Sequence, residues 1–378
     1  MEVVYALQQP PDSYRASLFL AGPTPRSDHV ASWRPQALRE LKAAGFDGVV
    51  FVPEDARGVY HGDYDAQVSW EDECLQRSDA IVFWVPRDLE SMPAFTTNVE
   101  FGRWEASGRV VLGAPPQAPR NTYLRHYAEL YGAPTTNTLP DTIVAALGLL
   151  GDGAWRTGGE RDVPLHIWRT DAFQRWYATQ RAAGNALMGA RVLWTFRPGG
   201  AVFSFALHVD VHVAEEDRRK TNEFVLARPD ISTVVLYRPA GCLDDTEVVL
   251  VREFRSPART SDGFVWELPG GSHPSDGLDE RRVAVEECHE EIGVLLDPVR
   301  LRSGGSRQLA ATFSSHHAHL YACELTEREM ERLRRDETVR GVHADSERTT
   351  VHVRRVGDIR DEQLVDWSTL GMILDTLV

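Results

Sequence analysis

The sequence predicts an α/β protein whose N-terminal half is a doubly wound parallel sheet. Three observations carry this. Short runs are apolar at every position, as in strands covered on both faces. Segments of helical period lie between them. Turn residues, Gly or Pro, close most of the apolar runs.

The elements follow in order. Residues 17–21, Ser-Leu-Phe-Leu-Ala, form a strand ended by Gly22-Pro23, and residues 32–44 have helical period and stop at Gly45. Residues 48–52 read as the next strand, closed by Pro53, with a helix at 65–77, a strand at 80–85, a helix at 98–107 and a strand at 110–112. Strands alternating with helices give a flavodoxin- or Rossmann-like sheet. Such sheets bind ligands beyond the carboxyl ends of their strands. Gly22, Pro23, Pro53, Pro86 and the loop leading to Glu100 belong at that edge.

Residues 151–162 are rich in Gly and charge and read as a linker. It divides the chain into a domain at 1–150 and a second at 163–378. A helix is expected over 170–188, opened by Thr170 or Asp171. Residues 202–213 alternate as a strand. Phe203, Phe205, Leu207, Val209, Val211 and Val213 share one face, and His208 and His212 the other. A solvated sheet face accounts for those histidines better than a metal does.

The densest chemistry lies further on. Val265-Trp-Glu-Leu-Pro-Gly-Gly271 reads as a strand running into a Gly-rich turn. Residues 285–293 read as a helix stopped by Gly293. Helical spacing brings Glu287, Glu290 and Glu291 to one patch, and Glu267 enters from the strand. Hard carboxylate oxygens at that density suit Mg²⁺ or Mn²⁺, which in turn grip phosphate oxygens. The competing reading is a solvated acidic face. His316, His317 and His319 cluster downstream, where strand alternation accounts for two of them, and residues 326–336 read as a charged surface helix.

The chain has 378 residues and a formal net charge of −15, which argues against a nucleic-acid polymer or an anionic membrane as partner. Cys74, Cys242, Cys288 and Cys323 are scattered without CxxC spacing. That fits a reducing cytoplasm rather than a disulfide or zinc framework. No signal pattern and no apolar run of about 18 residues is seen.

Two family resemblances add to this reading. Leu18-Phe-Leu-Ala-Gly-Pro23, Gln67-Val-Ser-Trp-Glu71, Ser78-Asp-Ala-Ile-Val-Phe83 and Thr97-Asn-Val-Glu-Phe-Gly102 resemble the nucleoside 2-deoxyribosyltransferase-like proteins. The resemblance covers roughly residues 15 to 130. It implies Glu100 as nucleophile and Glu71 as the acid on the nucleobase side, with Gly22, Pro23, Asp79 and Asn98 on the substrate. Ala94 stands where the family has a further acid. Residues 271–294 resemble the Nudix box, matching it at Glu287, Glu290, Glu291, Gly293 and Val294. Glu286 replaces the box Arg, and Leu278 its first Glu. Residues 247–257 resemble the branch acting on ADP-ribose and nucleotide sugars, which implies a substrate role for Arg255. This second resemblance implies an α/β/α sandwich with a mixed sheet, metal on Glu267, Glu287, Glu290 and Glu291, and water activation by Glu347.

Together they lead to the expectation of a bifunctional, Mg²⁺- or Mn²⁺-dependent nucleotide-processing enzyme. One half cleaves a nucleoside diphosphate derivative, and the other an N-glycosidic bond or transfers deoxyribose. Small nucleotides or nucleosides are the expected partners, and a homo-oligomer the expected assembly. The departures at Glu286, Leu278 and Ala94 favour an alternative in which the chain is a nucleotide-binding sensor, or only one site works.

Overall fold

The computed structural model describes residues 1–26, 29–55, 64–272, 279–341 and 347–378. The chain divides into two compact units, Met1–Leu226 and Ala227–Val378. Among the described residues no helix is long and apolar enough to cross a membrane.

The first unit begins with β1 (Glu2–Tyr5), β2 (Ser13–Tyr14), β3 (Ser17–Ala21), α1 (Arg34–Ala43) and β4 (Val49–Val52). It continues through α2 (Tyr64–Arg77), β5 (Ala80–Trp84), α3 (Phe95–Trp104), β6 (Val110–Gly113), α4 (Thr122–Leu130), β7 (Thr135–Thr136) and α5 (Leu139–Leu150). The main sheet has the order β1-β4-β3-β5-β6-β7, and all its pairs are parallel. The strand order reverses between β3 and β5, so a crevice opens beyond their carboxyl ends.

The continuous apolar runs have a direct cause. Phe19, Ala21, Ile81 and Phe83 pack under α2, α3 and α4. Leu18, Leu20, Ala80, Val82 and Trp84 pack under α1 and α5 on the other face. With both faces covered, period-two alternation in polarity disappears. Trp70 and Trp84 are both core residues.

Residues 151–162, read as a linker, instead hold β8 (Arg156–Thr157), which pairs with β2, and the 3-10 helix Gly158–Asp162. The division into compact units falls at Leu226 rather than there. Next come α6 (Leu165–Trp168), α7 (Asp171–Ala182), β9 (Ala186–Phe196), β10 (Ser204–Val213) and β11 (Arg218–Ala227). The helix expected to reach 188 stops at Ala182, and Gly184 takes a left-handed φ of +79°. β9, β10 and β11 form a three-stranded sheet in the order β11-β10-β9, with β10 antiparallel to β9. Phe205, Leu207 and Val209 are buried on it as the alternation predicted. His212 meets Asp217 at 3.0 Å, and His208 packs on Phe224.

The second unit is a mixed sheet with helices on both faces. Its strands are β12 (Ile231–Arg238), β13 (Glu247–Phe254), β14 (Phe264–Glu267), β15 (Gly270–Gly271), β16 (Arg302–Gln308), β17 (His317–Glu324) and β18 (Thr350–Arg355). The path is β14-β13-β12-β17-β16, with β15 on β12 and β18 on β13. Among the described residues of this sheet, only β12 and β17 pair in parallel. α8 (Glu280–Ile292) and α9 (Glu327–Arg334) cover one face; α10 (Val356–Asp361) and α11 (Trp367–Leu377) cover the other.

Candidate active site

At the carboxyl ends of β3 and β5 lies a cavity of about 460 Å³. Its lining includes Gly22, Pro23, Arg34, Gln67, Glu71 and Glu100. Gly22 has φ +150°, and a Cβ there would fall 2.2 Å from the Trp84 carbonyl oxygen. Only glycine lets β3 turn so close to β5.

A buried guanidinium fixes this floor. Arg34, at the start of α1, forms an ion pair with buried Glu54. It donates to the carbonyls of Leu20 at 3.0 Å and Gly22 at 2.7 Å, and to Thr24 Oγ1 at 3.0 Å. Ser32 Oγ donates to the other Glu54 oxygen at 2.8 Å, and Trp33 Nε1 to the Pro23 carbonyl at 3.2 Å. Sequence reasoning did not single out Arg34. Its place on the face of α1 that also carries Ala37 and Leu41 was the available signal.

Glu71, on α2, and Glu100, on α3, meet across the cavity and hydrogen-bond to each other. Burial and the neighbouring Glu71 carboxylate push Glu100 up to about 7. Burial also raises Glu71, opposed by Gln67, whose Nε2 donates to Glu71 Oε1 at 2.6 Å. The positive charge of Arg34 holds both carboxyls down. Two carboxyls this close share one proton, so the pair offers an acid and a carboxylate together. Arg26 and Arg103 stand at the mouth, Arg103 paired with Asp72.

Ala94 caps α3 with φ +60° and ψ +40°, a left-handed conformation, and its methyl lines the cavity. An acid at this position would project into the same space.

Two expected substrate residues lie elsewhere. Asp79 precedes β5 at the opposite end of the strand, buried among donors: Ser17 N at 2.8 Å, Arg156 Nη1 at 2.8 Å and Leu165 N at 2.8 Å. Its family spacing reports a structural anchor. Asn98 points away from Glu100 because two residues of helix rotate by about 200°. Its Oδ1 accepts from Arg87 Nη2 at 2.6 Å, and it lines a separate cavity with Arg120, Tyr123 and Tyr127.

The second unit gathers the other acidic residues. Asp279 caps α8, and Gly293 ends it with φ +67°. Glu291 is buried and accepts from Gly270 N at 2.9 Å. Burial raises its pKa well above the usual range, with Glu287 and Glu267 adding to it. Glu287 lies flush on Gly271, where a Cβ would meet its Oε1 at 2.5 Å. Burial, then Glu290 and Glu347, push Glu287 up to about 7. Glu290 itself is exposed, as is Glu286, which faces Arg282 at 3.6 Å. Leu278 lies outside the described residues.

Glu267 is held by Arg255, Nη2 at 2.9 Å and Nε at 3.2 Å. The same Nη2 is 3.0 Å from Glu253 Oε2, a buried carboxylate that sequence reasoning passed over. The signal was its place two residues before Arg255, near the end of β13. The donors are hard oxygens of the right kind for Mg²⁺. Among the described residues, however, no three acidic, His or Cys side chains are gathered to hold a metal ion. The histidines resolve into local pairs: His319 Nε2 is 3.5 Å from Asp230 Oδ2, and His316 Nδ1 is 2.6 Å from Ser314 Oγ.

Residues 15–118 match the family described as nucleoside 2-deoxyribosyltransferase like. No curated protein matches the chain. The first unit therefore carries a nucleoside 2-deoxyribosyltransferase-like domain, which points to nucleoside processing.

Proposed function

We propose that the first unit cleaves the N-glycosidic bond of a nucleoside or nucleoside monophosphate. The observation that carries this is the Glu71–Glu100 pair, sharing a proton inside a cavity at the strand ends. Breaking such a bond passes through an oxocarbenium-like state at C1′. Glu100, once its proton has passed to Glu71, attacks or stabilises C1′ as a carboxylate. Glu71 then gives the proton to the departing base, so the C–N bond electrons leave on a neutral leaving group. Water or a second base takes the sugar from Glu100. Arg26 and Arg103 at the mouth suit an anionic substituent such as a 5′-phosphate.

Free base is the readout. Incubation with a panel of deoxynucleosides and nucleoside monophosphates, followed by chromatography, is expected to release base with the wild type and not with E100A. Equal release by a folded E100A would remove Glu100 from the chemistry.

For the second unit the carboxylate patch supports a Nudix-type hydrolase acting on a nucleoside diphosphate derivative. Glu267, Glu287, Glu290 and Glu291 would hold Mg²⁺ or Mn²⁺, and Glu347 would orient the attacking water. The bound cation would neutralise the diphosphate oxygens. Nucleoside monophosphate appearing with Mg²⁺ and not with EDTA tests this. A homo-oligomer fits the exposed apolar rim of the first cavity, formed by Tyr64, Val68, Phe95 and Val99. Sedimentation of the full chain tests that assembly.

A further inference from the structure

We propose that Arg34 and Glu54 are positioning residues for the Glu71–Glu100 pair, a neutral ion pair that keeps a single proton on the two carboxyls. This rests on the reading of that pair given above. Arg34 lines the cavity, whereas Glu54 is buried off the lining and bonded to Arg34 Nη1. Each acts through the carboxyls rather than on the substrate.

Geometry ties the guanidinium to the site. Nε donates to the Leu20 carbonyl, Nη2 to the Gly22 carbonyl, and Nη1 to both Thr24 Oγ1 and Glu54 Oε1. These bonds use four of the five N–H groups of an arginine and fix the head in place. One Nη2 hydrogen is left over, on a side chain that lines the cavity. The other charged or titratable groups around the pair are held differently. Arg26, on the loop after β3, is exposed and lies 5.5 Å from the Phe95 ring centre. Arg103, on α3, is exposed and paired with Asp72, on α2, and Tyr64 is exposed at the start of α2. Arg34 is thus the one buried cation among the described residues of the lining.

Charge balance gives each residue its part. Glycosidic cleavage by two carboxyls needs one as the acid and one as the anion. Two protons leave no nucleophile, and none leaves no acid. Arg34 opposes the second proton by favouring the anionic form of both carboxyls. Glu54 offsets the guanidinium, so that the remaining proton is not driven off as well. Together the two add no net charge. The pair then keeps its own negative charge, facing the cation that develops at C1′.

The test reads the carboxyls directly and needs no turnover. Full-length protein carrying carboxyl-labelled glutamate is titrated by NMR as wild type, R34Q, R34K, E54Q and R34Q/E54Q. E71Q and E100Q assign the two signals. Removing a unit charge a few ångströms away, at an effective dielectric of about 20, changes proton affinity by about tenfold or more. Both titration steps of the pair should therefore move up by about one pH unit in R34Q. They should move down, by less, in E54Q. R34K keeps the charge without the fork and should stay within about half a unit of wild type. R34Q/E54Q buries no unpaired charge and serves where a single variant does not fold; its steps should move up, by no more than those of R34Q. Steps that stay put in R34Q/E54Q, or that move the same way in R34Q and E54Q, overturn the positioning role while leaving the pair standing. A wild type in which neither carboxyl titrates above about pH 5 would remove the shared proton itself, and the proposed cleavage with it.

Discussion

Arg156 places Nη1 2.8 Å from Asp79 Oδ1 and Nη2 against Oδ2, with both side chains shut away from solvent. The pair joins β8 to the start of β5. Asp79 also accepts from Ser17 N and Leu165 N, each at 2.8 Å, so one carboxylate ties three parts of the chain together. Arg156 Nη1 also donates to the Val163 carbonyl at 2.7 Å. A stretch with the composition of a linker is thereby fastened to the sheet.

Breaking this pair from one side leaves an uncompensated buried charge. D79A and R156A are each expected to lower the stability of the first unit by about 3–5 kcal/mol. D79N/R156M, which removes both charges, should cost less than the sum of the single changes. Denaturant unfolding followed by a probe confined to the first unit checks this. Additive losses would mean that the two groups do not act as a pair.

The Glu71–Glu100 contact has a pH signature. Folded Glu100 keeps its proton to about pH 7, while the unfolded carboxyl releases it near 4.5. Between those values the folded chain binds more protons, so stability falls as pH rises through the window. A tenfold difference in proton affinity between the folded and unfolded chain is worth about 1.4 kcal/mol. Because Glu71 shares the proton, the change should amount to about 1–3 kcal/mol. E100Q stays neutral and should flatten the dependence, leaving the variant more stable than wild type at about pH 8. A wild-type profile already flat from pH 4.5 to 7 would contradict the shared proton.

Ala94 offers a test of local strain. A left-handed conformation costs an L residue about 1–2 kcal/mol, and φ +60° places Ala94 there. A94G removes that cost but loosens the unfolded chain by about 0.4–1 kcal/mol. A net gain of about 0.5–1 kcal/mol is expected, read as a raised unfolding midpoint. A destabilised A94G would show that the methyl contributes packing that outweighs the strain.

Much of the first unit was legible because doubly wound sheets have a strong signature. The apolar strands at 17–21 and 80–85 came out within a residue of β3 and β5. The carboxylates Glu71 and Glu100 were legible from motif order. Asp79 and Asn98 were not, because a motif records spacing but not which end of a strand, or which side of a helix, a side chain serves. The 151–162 stretch misled for a related reason. Its Gly and charge content is that of a linker, whereas what holds it is Asp79, more than 70 residues earlier. Glu253 was hidden because its partner Arg255 drew attention as a substrate residue instead.

Gly270 and Gly271 separate fold from chemistry in the second unit. A Cβ at Gly270 would sit 2.4 Å from the Ser232 carbonyl oxygen and 2.7 Å from Thr233 Cα. Both are backbone atoms of β12, which cannot yield without disturbing the sheet. G270A is therefore expected to destabilise the unit by about 1–3 kcal/mol, as overpacking does. A Cβ at Gly271 instead meets the end of a side chain, Glu287 Oε1 at 2.5 Å and Cδ at 2.7 Å. That carboxyl can swing aside, so G271A should shift stability by less than about 1 kcal/mol, well below the backbone clash at Gly270. Glu287 would then leave the patch it shares with Glu291, and Mn²⁺ affinity should fall by about tenfold or more. Thermal melts and Mn²⁺ titrations of the two variants distinguish these effects. A G271A protein that keeps both its stability and its Mn²⁺ affinity would remove Glu287 from the proposed ligand set.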